Sequence, residues 1–127
     1  MTQRYNPSDI EAKWQKTWAD DARYQATEDS ERPKYYVTGM FPYPSGAGMH
    51  TGHFFEHSIV DAVARYQRSK GFNVMYPMGW DSFGLPAENY AIKTGKAPAD
   101  TTVENIANFT KQLERVGASI DWSREIN

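Results

Sequence analysis

Apolar positions change rhythm several times along this chain, and each rhythm predicts an element. Ile10, Trp14 and Trp18 recur at intervals of four, which is the spacing of one helical face. Asn6-Pro7 precedes them and reads as a helix start, with Asn capping the exposed amides and Pro fitting the first helical position. An amphipathic helix is expected from Ser8 to Asp20. The polar stretch from Ala26 to Lys34 carries an acidic cluster and a proline and reads as a solvated connector. Tyr35 to Met40 is short, aromatic and β-branched, as a first strand would be. The next segment, Phe41 to Gly48, holds two prolines and two glycines, which forbid both helix and ladder, so a loop must follow the strand.

From Thr51 onward the apolar positions Phe55, Ile59, Ala62, Val63 and Tyr66 step by three and four, predicting a second helix. Gly71 stands where a left-handed residue would stop it, and Arg65, Arg68 and Lys70 lie in the last turns, where the helix dipole favours cations. Phe72 to Met78 reads as a second strand. Strand, Gly-rich loop, helix and strand make a βαβ crossover, hence a parallel sheet with a right-handed connection. Gly79 to Pro86 is turn-rich and leads into a short helix from Ala87 to Thr94, closed by Gly95. Thr101 and Glu104 have the spacing of a capping box. Val103, Ile106, Thr110, Leu113 and Gly117 then mark the expected face of a longer helix. The tail from Ile120 to Asn127 contains no stop signal, and there is no internal repeat.

Composition narrows the class. The 127 residues include 4 Trp, 8 Tyr and 6 Phe, enough apolar surface to make disorder a poor description. A net charge of -2 supplies no basic field for non-specific nucleic-acid binding. The absence of cysteine excludes a disulfide scaffold, a thiolate zinc site and a cysteine nucleophile. Neither an apolar leader nor a run long enough to span a membrane occurs, so a cytoplasmic domain without a membrane partner is expected.

Parallel α/β sheets bind ligands beyond the carboxyl ends of their strands. The loop from Phe41 to His53 occupies that place, with Gly46 and Gly48 leaving its backbone open to a flat or charged ligand. It delivers the chain into a helix N-terminus, whose free amides and dipole hold phosphate. His50 and His53 lie on one side of that turn, with Gly52 between them leaving the helix start bare. Two imidazoles there can donate to phosphate and stabilise charge developing on it. The same pair also reads as ordinary cap residues, or as two ligands of a metal site that lacks a third. His57, one turn on, reads as helix surface or packing.

These residues carry a family resemblance. Met40-Phe41-Pro42-Tyr43-Pro44-Ser45-Gly46-Ala47-Gly48-Met49-His50-Thr51-Gly52-His53 resembles the adenylate-forming signature of the class I aminoacyl-tRNA synthetases, whose short form is His-Ile-Gly-His. Its Phe-Pro-Tyr-Pro-Ser-Gly approach resembles the leucyl branch. Gly79-Trp80-Asp81-Ser82-Phe83-Gly84-Leu85-Pro86-Ala87-Glu88 is similar to a second leucyl-type segment, and the two ends agree as well, in Ile10 to Gln15 and Asp121 to Ile126. Thr51 and Met49 depart from the usual residues of the signature, as does Phe54-Phe55-Glu56-His57.

The resemblance implies an α/β chain. It would form the first βαβ half of a Rossmann-like catalytic fold, with residues 1–34 as N-terminal helix and connector and 35–127 as the partial nucleotide-binding domain. His50 and His53 would be catalytic, binding ATP phosphates as the leucine carboxylate attacks the α-phosphorus and pyrophosphate leaves. Gly52 would let adenosine lie against the helix start. Asp81 would hold the leucine ammonium, with a turn cap as its structural alternative. Met40, Phe41 and Tyr43 would line the side-chain pocket, ordinary core packing being the alternative for Met40. Mg²⁺ would arrive with ATP, with no protein-bound metal in this segment. The tRNA(Leu) would be engaged through regions this chain lacks, in the remainder of the synthetase. The downstream Lys-Met-Ser-Lys-Ser loop, the editing insertion and the anticodon-binding helices are not in the sequence, so it reads as an N-terminal portion with weak activity or none alone. Such a half-fold is expected to leave apolar surface uncovered. Two other classes remain open here: another nucleotide-binding enzyme sharing this helix start, and a non-catalytic module that docks through aromatic surface.

Overall fold

The computed structural model describes residues 4–127. Helix α1 spans Pro7–Asp20, strand β1 Lys34–Tyr36, helix α2 Thr51–Ser69, strand β2 Asn73–Met75, helix α3 Leu85–Thr94 and helix α4 Pro98–Arg115, followed by a 3-10 turn at Trp122–Arg124. β1 and β2 pair in parallel, with Lys34 opposite Asn73, Tyr35 opposite Val74 and Tyr36 opposite Met75. The long connection between them contains α2, as expected for a βαβ unit. Gly71 and Gly95, the two expected helix stops, both take positive φ, at 90° and 69°.

Both strands are shorter than expected, for a reason that lies in the ladder. Beyond Val37, whose amide donates to Met75 O at 3.1 Å, β1 runs into the proline-rich loop and has no more amides in register. The chain after β2 stays extended and buried from Tyr76 to Trp80, but its partner is the C-terminal segment. Asp121 N donates to Tyr76 O at 2.8 Å, Ile126 N to Met78 O at 3.0 Å and Trp80 N to Ile126 O at 3.0 Å. Gly79 and Ile126 form a parallel bridge. The tail without a stop signal therefore lies alongside the continuation of β2 and bonds to it. Asp121 is fully buried, and its carboxylate accepts from Ala26 N at 2.8 Å and from the Ser123 hydroxyl at 2.5 Å. A buried carboxylate needs such donors, and these tie the connector to the sheet.

The core joins α2, β2 with its continuation, and α4: Ala64, Val74, Tyr76, Met78, Trp80, Phe109, Leu113 and Ile120. Each large side chain buried there contributes about 1.5–3 kcal/mol. The buried faces do not simply follow the apolar steps of the sequence. On α2 the buried residues are His57 and Ala64, whereas Phe55, Ile59 and Tyr66 are exposed. The helix carries two apolar stripes, and periodicity alone cannot choose between them. The choice is made by Arg65, Arg68 and Asp61, which find polar partners on the buried side. Arg65 binds Asp61 at 2.7 Å and Gly117 O at 2.5 Å; Arg68 donates to Ser119 Oγ at 2.6 Å and to Tyr24 O at 3.3 Å. These arginines serve tertiary contacts besides any complement to the dipole. The stripe of Phe55, Ile59 and Tyr66 faces outward as uncovered apolar surface.

Two capping expectations also fail. α4 begins at Pro98 behind Ala97, three residues before the expected Thr101 cap, because Pro at the first helical position costs no hydrogen bond. Thr101 is buried inside the helix with its hydroxyl on Pro98 O at 3.0 Å, and Glu104 pairs with Lys96 at 2.6 Å. The buried face of α4 runs through Thr101, Asn105, Phe109 and Leu113, leaving Val103 exposed. Asn6 holds the cap position of α1 but makes no side-chain cap bond, donating instead to Asp9 at 2.5 Å. No residue of α1 is fully buried. α3 starts two residues early, at Leu85, with Gly84 at a φ of 92° before it.

Candidate functional site

The first turn of α2 is built from its two histidines. His50 takes the cap position in extended backbone, and its side chain accepts from His53 N at 3.3 Å; the His53 ring accepts from His50 N at 3.4 Å. The pair is thus a reciprocal capping box made of imidazoles, satisfying two amides that a helix start leaves without partners. The rings stack with centroids 3.6 Å apart and planes 18° from parallel. Because each Nδ1 accepts a backbone proton, each neutral ring carries its own proton on Nε2. Both Nε2–H groups are therefore free to donate among the described residues. So are the amides of Thr51 and Gly52, at the positive end of a 19-residue helix.

Gly52 has a steric reason in this arrangement. A Cβ there would stand 2.9 Å from His50 Cε1 and 3.0 Å from Nδ1, so only glycine lets the ring fold back over the turn. Burial pushes the His53 pKa below the ordinary imidazole value, and the neighbouring His50 adds to the shift while Glu56 opposes it. The histidines thus serve as caps and also present donors, two readings that the sequence had left as alternatives. Among the described residues no cluster of three or more side chains could hold a metal ion.

The residues proposed for the amino acid lie on two neighbouring loops. Asp81 N donates to Pro42 O at 3.0 Å, fastening the loop after β2 to the loop after β1. Gly79 is needed for the same closeness, since a Cβ on it would run into the ring of Phe41. Met40 is 77% exposed and Tyr43 48% exposed, so ordinary core packing does not account for Met40. Phe41 is half-buried. The Asp81 carboxylate is exposed and makes no hydrogen bond among the described residues, which leaves its turn-cap alternative without support.

Further contacts of this region depend on partners distant in sequence; His57, expected as helix surface or packing, is packed. Glu56 accepts from Met40 N, and a Cβ on Gly39 would lie 2.9 Å from its Oε1. His57 is 4% exposed, with Nδ1 3.1 Å from the Tyr76 hydroxyl and Nε2 buried without a partner. Desolvation lowers its pKa, and burial pushes the Tyr76 hydroxyl well above its usual range. Three side chains of α4 also reach the signature loop: Asn105 to Pro44 O at 2.8 Å, Asn108 to Ala47 O, and Gln112 to Met49 N at 2.8 Å. Gln112 explains Gly48, where a Cβ would meet its Nε2 at 2.8 Å; the glycine admits this side chain rather than a ligand. Gly46 stays open. A cavity of about 580 Å³ lies elsewhere, between α1 and the end of α4, lined by Trp18, Tyr24, Ala118 and Trp122.

A parallel βαβ unit whose crossover helix starts on paired donors defines an α/β half-fold of the Rossmann-like type. Residues 13–127 match the family described as tRNA synthetases class I (I, L, M and V), and the chain belongs to it. Relatives named leucine–tRNA ligase include that of Protochlamydia amoebophila, 57% identical over 97% of this chain, and that of Chlamydia muridarum, 60% identical over 96%. The chain spans about 15% of the length of each. Among solved structures, the ternary complex of Agrobacterium radiobacter K84 agnB2 LeuRS with tRNA and LeuAMS superposes with a TM-score of 0.92 at 39% identity, covering 96% of this chain and 16% of that one. Mycobacterium tuberculosis methionyl-tRNA synthetase, in complex with methionyl-adenylate, superposes with a TM-score of 0.67 at 32% identity over 70% of this chain and 17% of its own.

Proposed function

We propose that this chain is the phosphate- and leucine-binding part of a leucyl-tRNA synthetase. The reaction joins leucine to ATP as leucyl-adenylate and then moves leucine to tRNA(Leu). The observation that carries the proposal is the stacked pair of His50 and His53, with Nε2 donors free at the start of α2, beside the loop that holds Phe41 against Gly79 and Pro42 against Asp81. The leucyl relatives and the leucyl structure match nearly the whole chain, whereas the methionyl structure covers 70% of it, which supports leucine as the amino acid.

In this reading the leucine carboxylate oxygen attacks the α-phosphorus while the bond to the β-phosphate oxygen breaks and pyrophosphate leaves with both electrons. Nε2–H of His50 and of His53 donates to phosphate oxygens as their charge grows, and the Thr51 and Gly52 amides add to that field. Gly52 leaves room for adenosine on the side the His50 ring does not cover. Asp81 pairs with the leucine ammonium, and Met40, Phe41 and Tyr43 surround its side chain. No residue acts as a nucleophile, so the chemistry is positioning and electrostatics. Mg²⁺ enters as part of the ATP complex. The same reading puts the domain boundary after residue 34, with helix α1 and the connector before it and the nucleotide-binding portion, 35–127, after it. The tRNA is contacted by parts of the synthetase outside these residues, and the setting is cytoplasmic; no helix among the described residues is long and apolar enough to cross a membrane.

Leucine-dependent exchange of pyrophosphate into ATP tests this reading, with the wild-type chain compared with His50→Ala and His53→Ala. Slow exchange that both substitutions abolish is expected. Exchange that survives both refutes the assigned roles, and exchange that another amino acid supports better than leucine refutes the substrate.

A further inference from the structure

We infer that Asn105, Asn108 and Gln112 are positioning residues for the phosphate site, acting as a measured set of hydrogen bonds that gives the loop before α2 its shape. The inference rests on the proposed role of His50 and His53. The backbone groups of residues 40–49 need partners when they are taken from water. The loop forms no backbone hydrogen bond within itself among the described residues. Met40 N goes to Glu56, and Pro42 O receives Asp81 N. The remaining bonds all come from α4: Pro44 O from Asn105, Ala47 O from Asn108, and Met49 N to Gln112.

The three α4 positions are spaced by three and then four, so they share one face. From Asn105 to Gln112 the helix rises about 10 Å. The loop partners follow in the same order, so Pro44 to Met49 is laid alongside the helix and cannot shorten or slide without breaking a bond. The last bond falls on Met49, the residue just before His50. Gly48 suits this geometry, its missing Cβ leaving space for the Gln112 amide. At the other end Asn105 is 6% exposed and Pro44 is fully buried, so that end is anchored in the core. Phe109, between the polar positions, packs 6.3 Å from the His53 ring on the same helix face. A rigid helix therefore sets where the stacked histidines begin, and α4 touches the chemistry only through the loop.

The polarity of the bonds makes the role testable. Asn105 and Asn108 donate, whereas Gln112 accepts from Met49 N. A carboxylate is thus tolerated at 112 and not at 108. The measurements are amide hydrogen exchange at Met49 and Mg²⁺-ATP binding by titration, on the wild-type chain and on Gln112→Leu, Gln112→Glu, Asn108→Ala, His50→Ala and His53→Ala. Gln112→Leu is expected to speed Met49 exchange about tenfold, while Gln112→Glu retains protection. ATP affinity is expected to fall about 3- to 10-fold in Gln112→Leu and in Asn108→Ala, the latter being a partly exposed position that serves if the first variant fails to fold. Unchanged Met49 exchange in Gln112→Leu overturns the inference, as does fast exchange with unchanged ATP affinity. If the histidine variants weaken ATP binding in that case, the proposed function stands and only the α4 role is lost. If the wild-type chain binds no ATP, or the histidine variants bind it as well as wild type, the proposed function fails and this inference with it.

Discussion

Replacing Gly52 by alanine separates the two tasks performed by the start of α2. The new Cβ would lie 2.9 Å from His50 Cε1, so the ring must leave the position from which it accepts from His53 N. Losing that cap costs about 1 kcal/mol. Alanine in place of a helical glycine returns about 0.5–1 kcal/mol. The two nearly cancel, and at roughly 4 °C per kcal/mol the melting temperature is expected to stay within about 3 °C of wild type. Phosphate binding has no such compensation, because the displaced ring takes its Nε2 donor with it. Loss of one hydrogen bond to a charged group is worth about 1.5–3 kcal/mol, so ATP affinity is expected to fall at least about tenfold. Thermal melting and an ATP titration with Mg²⁺, run on the same preparation, read the two effects. A rise in melting temperature by the full helix gain, with ATP affinity unchanged, would mean that the ring neither caps the helix nor meets phosphate.

Acid is expected to destabilise the chain in a defined window. Burial depresses the pKa of both His53 and His57, so just below pH 6.5 the unfolded chain binds more protons than the folded one. Stability is then full above about 6.5 and declines as pH falls towards the depressed folded-state values. A melting temperature that does not change from about pH 7 to pH 5 contradicts this. Tyr76→Phe is expected to cost about 1–3 kcal/mol, because His57 Nδ1 loses its partner while Nε2 already lacks one. Adding His57→Phe should recover most of that loss in urea denaturation, and additive losses would show that the two side chains are not coupled.

Much of the βαβ unit was legible because its signals are local. Two prolines and two glycines exclude both regular structures after β1, and Gly71 and Gly95 stop helices by conformational freedom alone. The histidines at the start of α2 were legible as a pair on one side of a turn. The rest depended on distant partners. A capping box at Thr101 is a valid local pattern, yet Pro98 starts the helix earlier and packing buries Thr101. The buried face of α2 is decided by Ser119, Gly117 and Tyr24, all far away in sequence. Asn105, Asn108 and Gln112 look like ordinary polar helix residues until the loop they hold is seen beside them. The C-terminal segment bonds to the continuation of β2 only because β1 leaves Tyr76 to Trp80 with one side unpaired.

The position of ATP on the chain is the most direct test of the roles given to His50 and His53. Amide and imidazole resonances of the labelled chain, followed during titration with Mg²⁺-ATP, locate it. Saturable shifts at Thr51, Gly52 and His53 and in both the His50 and His53 rings are predicted, with their loss in His50→Ala and His53→Ala. Shifts confined to the groove around Trp18, Tyr24 and Trp122, with the start of α2 unmoved, would contradict the account.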